Sequence, residues 1–306
     1  MILITGTSGY IGGVLAQSLK KEKYDVRSAC HKTSDRKENF FELNMQNIEQ
    51  IEKSCKGVDT IIHLASLNHA QSEARSAEAF QINFEGTKNL FNYALKNNVK
   101  KFIYFSTAHV YGKNLINKVD EFTEINPISN YSFTHYLAEQ YCYSKSKNEK
   151  IQTFVLRISN IIGPPINMDV KNWYLVCNDL CLQAIKNKMI ILRTDGKQKR
   201  DFFPIENLIH TINNIIEDKS LVKSRYIFNL GTGISISVLE LAEIIKKEYE
   251  ELFNHRIKII CGSKTENITE LTYSTEKINS SGLYYRRCQI KESIRNTLIF
   301  CRDNYL

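Results

Sequence analysis

Residues 130–141 read NYSFTHYLAEQY, and the stretch places a phenol, Tyr131, one helical turn before an imidazole, His135. Side chains four apart share a helix face, so the two rings either pack as neighbours or form half of a reactive centre. As a centre they would do acid–base work. A tyrosine phenol has an unperturbed pKa of about 10 and exchanges protons well at neutral pH only when a nearby cation favours its anion. An imidazole, with an unperturbed pKa of about 6.5, is largely neutral at pH 7 and pulls on the phenol only weakly. A second chemical pattern opens the chain: in MILITGTSGYIGG, Gly6, Gly9 and Gly12 follow a short apolar run. Glycines so placed permit a tight turn and close approach of the backbone to a pyrophosphate, which then sits at the positive end of the next helix. Because this turn follows a strand and opens a helix, it is read as a dinucleotide site that includes Tyr10 and Ile11.

These residues need a frame. Residues 1–5 suit a strand buried on both faces, Ile11, Val14, Leu15 and Leu19 give an amphipathic helix, and a second strand is expected over 25–30. VDTIIHLAS (58–66) predicts another strand, residues 77–98 a long helix, and KKFIYFSTAHVYG (100–112) a further strand. Repeated strand–helix units imply an α/β fold with a doubly wound parallel sheet, Rossmann-like. Ligands on such sheets sit at the carboxyl ends of the strands. HLAS, with Leu64 and Ala65, and FSTAHVYG, with Thr107 and His109, are therefore expected to line the cleft. Later, NWYLVCNDLCLQAI and ISVLELAEIIKKEYEEL read as helices, and GKQKRDFFPIENLIHTINNII as a strand followed by a helix.

With GTSGYIGG, VDTIIHLAS, INFEGTKNL, FIYFSTAHVYG, the tyrosine helix, LRISNIIGPP, GKQKRDFFPIENL and FNLGTG in this order, the chain resembles the extended short-chain dehydrogenases/reductases, in their nucleotide-sugar epimerase/dehydratase group. The resemblance covers nearly the whole chain. It implies a dinucleotide-binding domain over 1–165, to which 200–232 returns, and a smaller α/β substrate domain from 166–199 and 233–306. It makes Tyr131 the counterpart of the family's catalytic tyrosine and Thr107 that of its partner serine or threonine. The family's motif is tyrosine, three residues, lysine; here His135 holds the lysine's place, and Glu139 keeps the register downstream. In the family that lysine supplies a permanent charge and bonds the nicotinamide ribose, and His135 could still make the second contact. Where the family's 4,6-dehydratases follow the threonine with aspartate and glutamate, this chain has Ala108 and His109. Elimination would lose its acid, which leaves 4-keto reduction, alcohol oxidation or epimerisation of a nucleotide-diphosphate sugar. His109 is a candidate substrate contact, Asn160 and Arg200 the counterparts of the family's diphosphate contacts, and Asn83 a buried scaffold residue. Trp173 or Phe203 would either stack on the base or belong to the core. The resemblance also implies surface-polysaccharide precursor synthesis and a homodimer through the helices at 77–98 and 131–148, with Tyr136, Tyr141, Tyr143, Phe80, Phe84 and Phe91 as its aromatic surface. The alternative is an impaired paralogue that binds dinucleotide in a regulatory or scaffolding role.

Cofactor choice turns on the second strand, YDVRSACHK, which ends in Cys30, His31 and Lys32 with no acid. An acid there usually serves the ribose hydroxyls of NAD. His31 and Lys32 would instead suit a 2′-phosphate, which favours NADP with NAD as the alternative; Asn44 stands where an adenine contact is common. The bulk composition fits this reading. The chain of 306 residues is 42% hydrophobic and 24% charged, as expected of a cytoplasmic globular protein with ample core. No apolar run approaches a membrane span of about 18 residues, and MILITG enters a strand directly, so neither a membrane partner nor a signal peptide is expected. The net charge of +8 is scattered without interleaved aromatic platforms, which argues against a nucleic-acid partner. Eight cysteines without a CxxC pair read as buried reduced thiols rather than a metal site.

Overall fold

The computed structural model describes residues 1–306 except 32–39, 171, 219–224, 265–269 and 285–287. In chain order the strands are β1 Ile2–Thr5, β2 Val26–Cys30, β3 Phe41–Glu42, β4 Thr60–His63, β5 Lys101–Thr107, β6 Asn117–Val119, β7 Gln152–Ile158, β8 Asn160–Ile162, β9 Met189–Ile191, β10 Lys199–Pro204, β11 Arg225–Leu230, β12 Ser235–Ser237, β13 Lys258–Ile260 and β14 Leu271–Tyr273. The α-helices are α1 Tyr10–Lys21, α2 Ile48–Ser54, α3 His69–Ala74, α4 Ser76–Ala79, α5 Thr87–Lys96, α6 Asn130–Lys145, α7 Val176–Asn187, α8 Ile205–Glu217, α9 Val238–Phe253, α10 Glu276–Ser280 and α11 Ile290–Tyr305. They form two compact units: Met1–Leu115 with Glu121–Ile158 and Asn213–Asn229, and Ile116–Asp120 with Ser159–Ile212 and Leu230–Leu306.

The first unit carries a seven-stranded sheet in the order β11-β7-β5-β4-β1-β2-β3. The pairs β1–β2, β1–β4, β2–β3, β4–β5 and β5–β7 are all parallel. Strand order reverses beside β1, so the chain leaves the sheet in opposite directions on either side of it and opens a crevice at the carboxyl ends of β1 and β4. All four residues of β1 and all seven of β5 are buried, as continuous apolar runs in a covered parallel sheet must be. Leu3, Ile61 and Phe102 pack there with Leu90 and Phe91 of α5 and Ala138 and Cys142 of α6. The one cation in β5, Lys101, spends its ammonium on the C-terminus of α8, donating to the carbonyls of Ile215, Ile216 and Asp218 at 2.6–2.7 Å.

Two expected elements differ. The helix expected over 77–98 is interrupted: α4 passes into a π-helical stretch, Phe80–Gly86, before α5 begins. The strand expected to reach residue 112 stops at Thr107, whose side chain accepts the His109 N–H and caps a 3₁₀ segment, Ala108–Asn114. Within it Gly112 has φ 53°, a left-handed value, and a Cβ there would run into the Asn126 carbonyl.

In the second unit β10 pairs parallel with β8 and antiparallel with β12, while β13–β9 and β14–β6 are parallel pairs. Its core lies among α7, α9 and α11, with Leu180, Ala184, Leu241, Ile245, Ile294 and Leu298 buried. The pairings of β10 draw residues 200–212 into this unit, so the chain rejoins the first unit at Asn213, midway along α8. Seven cysteines are buried and Cys261 is exposed, all of them as free thiols. Among the described residues no helix is long and apolar enough to cross a membrane, and no group of His, Cys, Asp or Glu is arranged to hold a metal ion.

Candidate active site

The glycine turn is built to bring backbone close to a ligand. Gly6 adopts φ 73°, and a Cβ on it would lie 2.9 Å from the Ala65 nitrogen. A Cβ on Gly12 would collide with the Gly6 carbonyl oxygen. Gly9 is the N-cap of α1, no side chain caps that helix, and its first turn holds no acid. Tyr10 and Ile11 begin the helix, with Tyr10 buried. Such an uncapped N-terminus over a glycine turn presents N–H groups and positive potential, and so fits the diphosphate of a dinucleotide. Leu64 and Ala65, at the carboxyl end of β4, are fixed by donating their N–H groups to the Thr5 hydroxyl at 3.1 Å each.

Tyr131 and His135 sit in the first turns of α6. Ser129 and Ser132 form a capping box that starts the helix. Asn83, in the π-helical stretch, donates to the Thr134 hydroxyl at 3.1 Å and accepts the Leu67 N–H at 2.7 Å, tying α6 to the loop after β4. One turn beyond His135, Glu139 takes a bidentate bond from Arg157 of β7, at 3.2 and 2.6 Å. Arg157 also donates to the Tyr111 hydroxyl at 2.9 Å, which donates to Asn229 at 2.6 Å. Arg157 and Glu139 are 2% and 0% exposed, so α6 is pinned from below by a fully desolvated pair.

The two rings are in contact: Tyr131 and His135 have centroids 4.5 Å apart at 63°. Tyr131 is half-buried, whereas His135 is 3% exposed. The imidazole Nδ1 lies 2.8 Å from the Tyr104 hydroxyl, and Nε2 has no partner among the described residues. Leaving a buried N–H or ring nitrogen unpaired costs about 1–3 kcal/mol, which makes this atom a candidate contact for a bound ligand. Burial, and then the neighbouring His109, push the His135 pKa down to about 4. The imidazole is therefore neutral at pH 7 and supplies no charge to the phenol. Thr107, at the end of β5, is 6% exposed. His109 is exposed, with its ring centroid 6.4 Å from that of Tyr131.

The other expected residues divide. His31 is exposed just past β2, and Lys32 lies outside the described residues. Asn44 uses its side-chain oxygen to accept the Gln46 N–H at 2.9 Å. In the second unit the Asn160 amide donates to the Asp201 carbonyl at 2.9 Å, bridging β8 to β10. Arg200 is half-buried and hydrogen-bonds Gln198 at 2.8 Å, and no carboxylate pairs with it among the described residues. Burial lowers its pKa. Both aromatic candidates for base stacking pack inward: Phe203 is fully buried beside Tyr284, and Trp173 contacts Phe300 and Tyr305. Phe91 is likewise a core residue, edge-on to Phe102, and offers no surface to a partner.

Sequence reasoning missed three residues. Tyr104 read only as part of a buried strand. His69 opens α3 with its ring 5.9 Å from Tyr131 and 6.3 Å from His109; the Asn68–Gln71 capping box was the available signal that a helix starts there. Asn172, in the second unit, is 0% exposed, with both amide atoms unpartnered among the described residues.

A model of the family described as NAD dependent epimerase/dehydratase matches residues 2–231. A putative UDP-glucose 4-epimerase of Methanocaldococcus jannaschii is 31% identical, the match covering 99% of this chain and 99% of that protein. The dTDP-D-glucose 4,6-dehydratase of Homo sapiens is 24% identical over 99% of this chain and 90% of its own length. The fold is shared with UDP-glucuronic acid 4-epimerase from Bacillus cereus, solved with UDP-glucuronic acid and NAD: TM-score 0.81, 22% identity, covering 99% of both chains.

Proposed function

The chain belongs to the NAD dependent epimerase/dehydratase family, and from that premise we propose a nucleotide-sugar enzyme that exchanges hydride with a nicotinamide dinucleotide, with C4 epimerisation of a UDP-hexose as its reaction. The observation that carries this reading is the Tyr131–His135 contact, with an unpartnered imidazole nitrogen buried beside a phenol. The bound nicotinamide would supply the hydride acceptor and donor. Tyr131 takes the proton from the hydroxyl at the reacting carbon and returns it. Thr107 holds the same oxygen, and His135 Nε2 bonds a ribose hydroxyl in the place of the family's lysine. Gly6, Gly9 and Gly12 receive the diphosphate of the dinucleotide, and Arg200, which has no carboxylate partner among the described residues, receives that of the sugar nucleotide.

The 31% identical relative carries an epimerase name, which supports epimerisation. Dehydratases also stand among the relatives; Ala108 and His109 in the place of their acid pair argue against that reaction here. The family description and the Bacillus cereus complex favour NAD, while the acid-free end of β2 keeps NADP as the rival. The reading extends to surface-polysaccharide precursors and to a homodimer formed through α5 and α6, without Phe91.

The test is to incubate the protein with UDP-glucose, UDP-glucuronic acid and dTDP-glucose, each with NAD or NADP, and to identify products by NMR. The expected product is the C4 epimer of a UDP-sugar. Tyr131→Phe should lower turnover by about 10²–10⁴-fold while dinucleotide binding persists; full activity in that variant would remove Tyr131 from the mechanism. A second reading is favoured by the neutral His135: a dinucleotide-binding protein without turnover. Wild-type protein that binds NAD yet converts none of these sugars would establish it.

A further inference from the structure

His63 and His135 are both buried, and their bonding assigns the proton on each. The Thr5 hydroxyl accepts the N–H groups of Leu64 and Ala65, so its own proton goes to His63 Nδ1 at 2.7 Å. His63 Nε2–H then donates to the Thr87 hydroxyl at 2.8 Å, which donates onward to the Asn83 carbonyl at 2.6 Å. Every polar atom of that ring is used. At His135 the same reasoning leaves an open end. Tyr104, centred in β5 and 2% exposed, has a hydroxyl whose proton must find an acceptor, and His135 Nδ1 lies 2.8 Å away. Burial holds the Tyr104 phenol in its protonated form, its pKa pushed well above the usual range. A donated O–H on Nδ1 puts the single imidazole proton on Nε2, the atom without a partner.

We propose that Tyr104 is a positioning residue: its hydroxyl locks His135 as a neutral Nε2–H donor, aimed at a hydroxyl oxygen of the bound dinucleotide. The inference rests on the hydride-transfer reading for its purpose but not for its geometry. It replaces a lysine's mobile cation by a fixed, uncharged donor. Tyr104 does not relay protons, because a phenol so buried does not ionise; it fixes which nitrogen carries the proton and how the ring is turned. The ionisable groups that face this imidazole are Tyr104 on β5, Tyr131 on α6, His109 in the 3₁₀ segment and His63 on β4, with Glu139 of α6 next in line but held by Arg157.

The test uses full-length protein with ¹⁵N-labelled histidine, followed by NMR between pH 5.5 and 8.5, beside titration with NAD and NADP. In the wild type the His135 signals should show one tautomer, protonated at Nε2, that does not change with pH. Tyr104→Phe keeps the ring and loses the hydroxyl; it should mix the tautomers and weaken dinucleotide binding about tenfold. His135→Gln retains a non-titrating donor and should bind within about threefold of wild type, whereas His135→Phe should bind as weakly as Tyr104→Phe or worse. Should Tyr104→Phe fail to fold, the Gln and Phe variants still decide. A wild-type Nδ1–H tautomer overturns the proposal, as does a Tyr104→Phe protein with unchanged tautomer and unchanged binding. Wild type with the expected tautomer, weakened binding in Tyr104→Phe and no turnover would sustain the lock and sink the enzymatic reading instead.

Discussion

Lowering the pH should destabilise this protein early, through two histidines rather than through its carboxylates. Burial, and then the neighbouring His135, hold His63 down at about 3, and His135 itself is held at about 4. In the unfolded chain both return to about 6.5. The sign follows directly: between these values the unfolded state binds protons that the native state refuses, so stability is complete above about 6.5 and falls as the pH drops toward the folded values. Two such groups give a slope of about 3 kcal/mol per pH unit. Passage from pH 7.5 to 5 would cost about 4 kcal/mol, out of a typical total of about 5–15 kcal/mol. Urea midpoints measured at intervals from pH 7.5 to 5 would read the slope. His135→Gln removes one of the two protons, and the difference between the two proteins cancels the contribution of the carboxylates they share. The variant should therefore lose about half of the wild-type slope. A wild-type midpoint that is flat over this interval, or a slope unchanged in the variant, would mean that the imidazoles protonate in place and are not sealed from water.

Three further outcomes are expected. His135→Lys returns a cation to the face of Tyr131; because a cation favours the phenolate, the acid limb of the pH–rate profile should move down by about one unit or more, and a folded but inactive variant would show that the imidazole has a geometric task a lysine cannot do. Glu139→Gln leaves the Arg157 guanidinium buried without its counter-charge and should cost about 3–5 kcal/mol, read as a fall in the denaturant midpoint; a neutral effect would mean that water reaches the pair. Gly12→Ala forces a methyl onto the Gly6 carbonyl and should cost about 1–3 kcal/mol in stability together with loss of dinucleotide affinity by calorimetry, and normal binding would show that the turn has room to relax.

Much of the frame was legible because its signals are local. The run before Gly6, the alternation of strands and helices, and the helix bearing Tyr131 are each set by about ten consecutive residues, and they appear as β1, α1, β4, β5 and α6. Where the reading failed, the cause was a side-chain cap or a contact distant in sequence. The VYG segment reads as strand by composition, but the Thr107 side chain caps the His109 N–H and the left-handed Gly112 turns the chain out of the sheet. Phe91 looks available by type, yet it is enclosed by residues that it cannot announce from its own neighbourhood. The π-helical stretch around Asn83 has no compositional mark at all.

The histidine at 135 shows most clearly what separates a substitution from its consequence. On the sequence alone the histidine that the resemblance sets in a lysine's place would weaken a cation, because an exposed imidazole at neutral pH is still charged part of the time. In the fold the ring is 3% exposed and bonded to a phenol 31 positions earlier, so the charge is absent across the physiological range. If Tyr131 and Thr107 do the proposed chemistry, a site without that cation must obtain its acid–base driving force elsewhere. The imidazoles of His69 and His109 are exposed, with ring centroids 5.9 and 6.4 Å from that of Tyr131, and they flank the phenol from the solvent side.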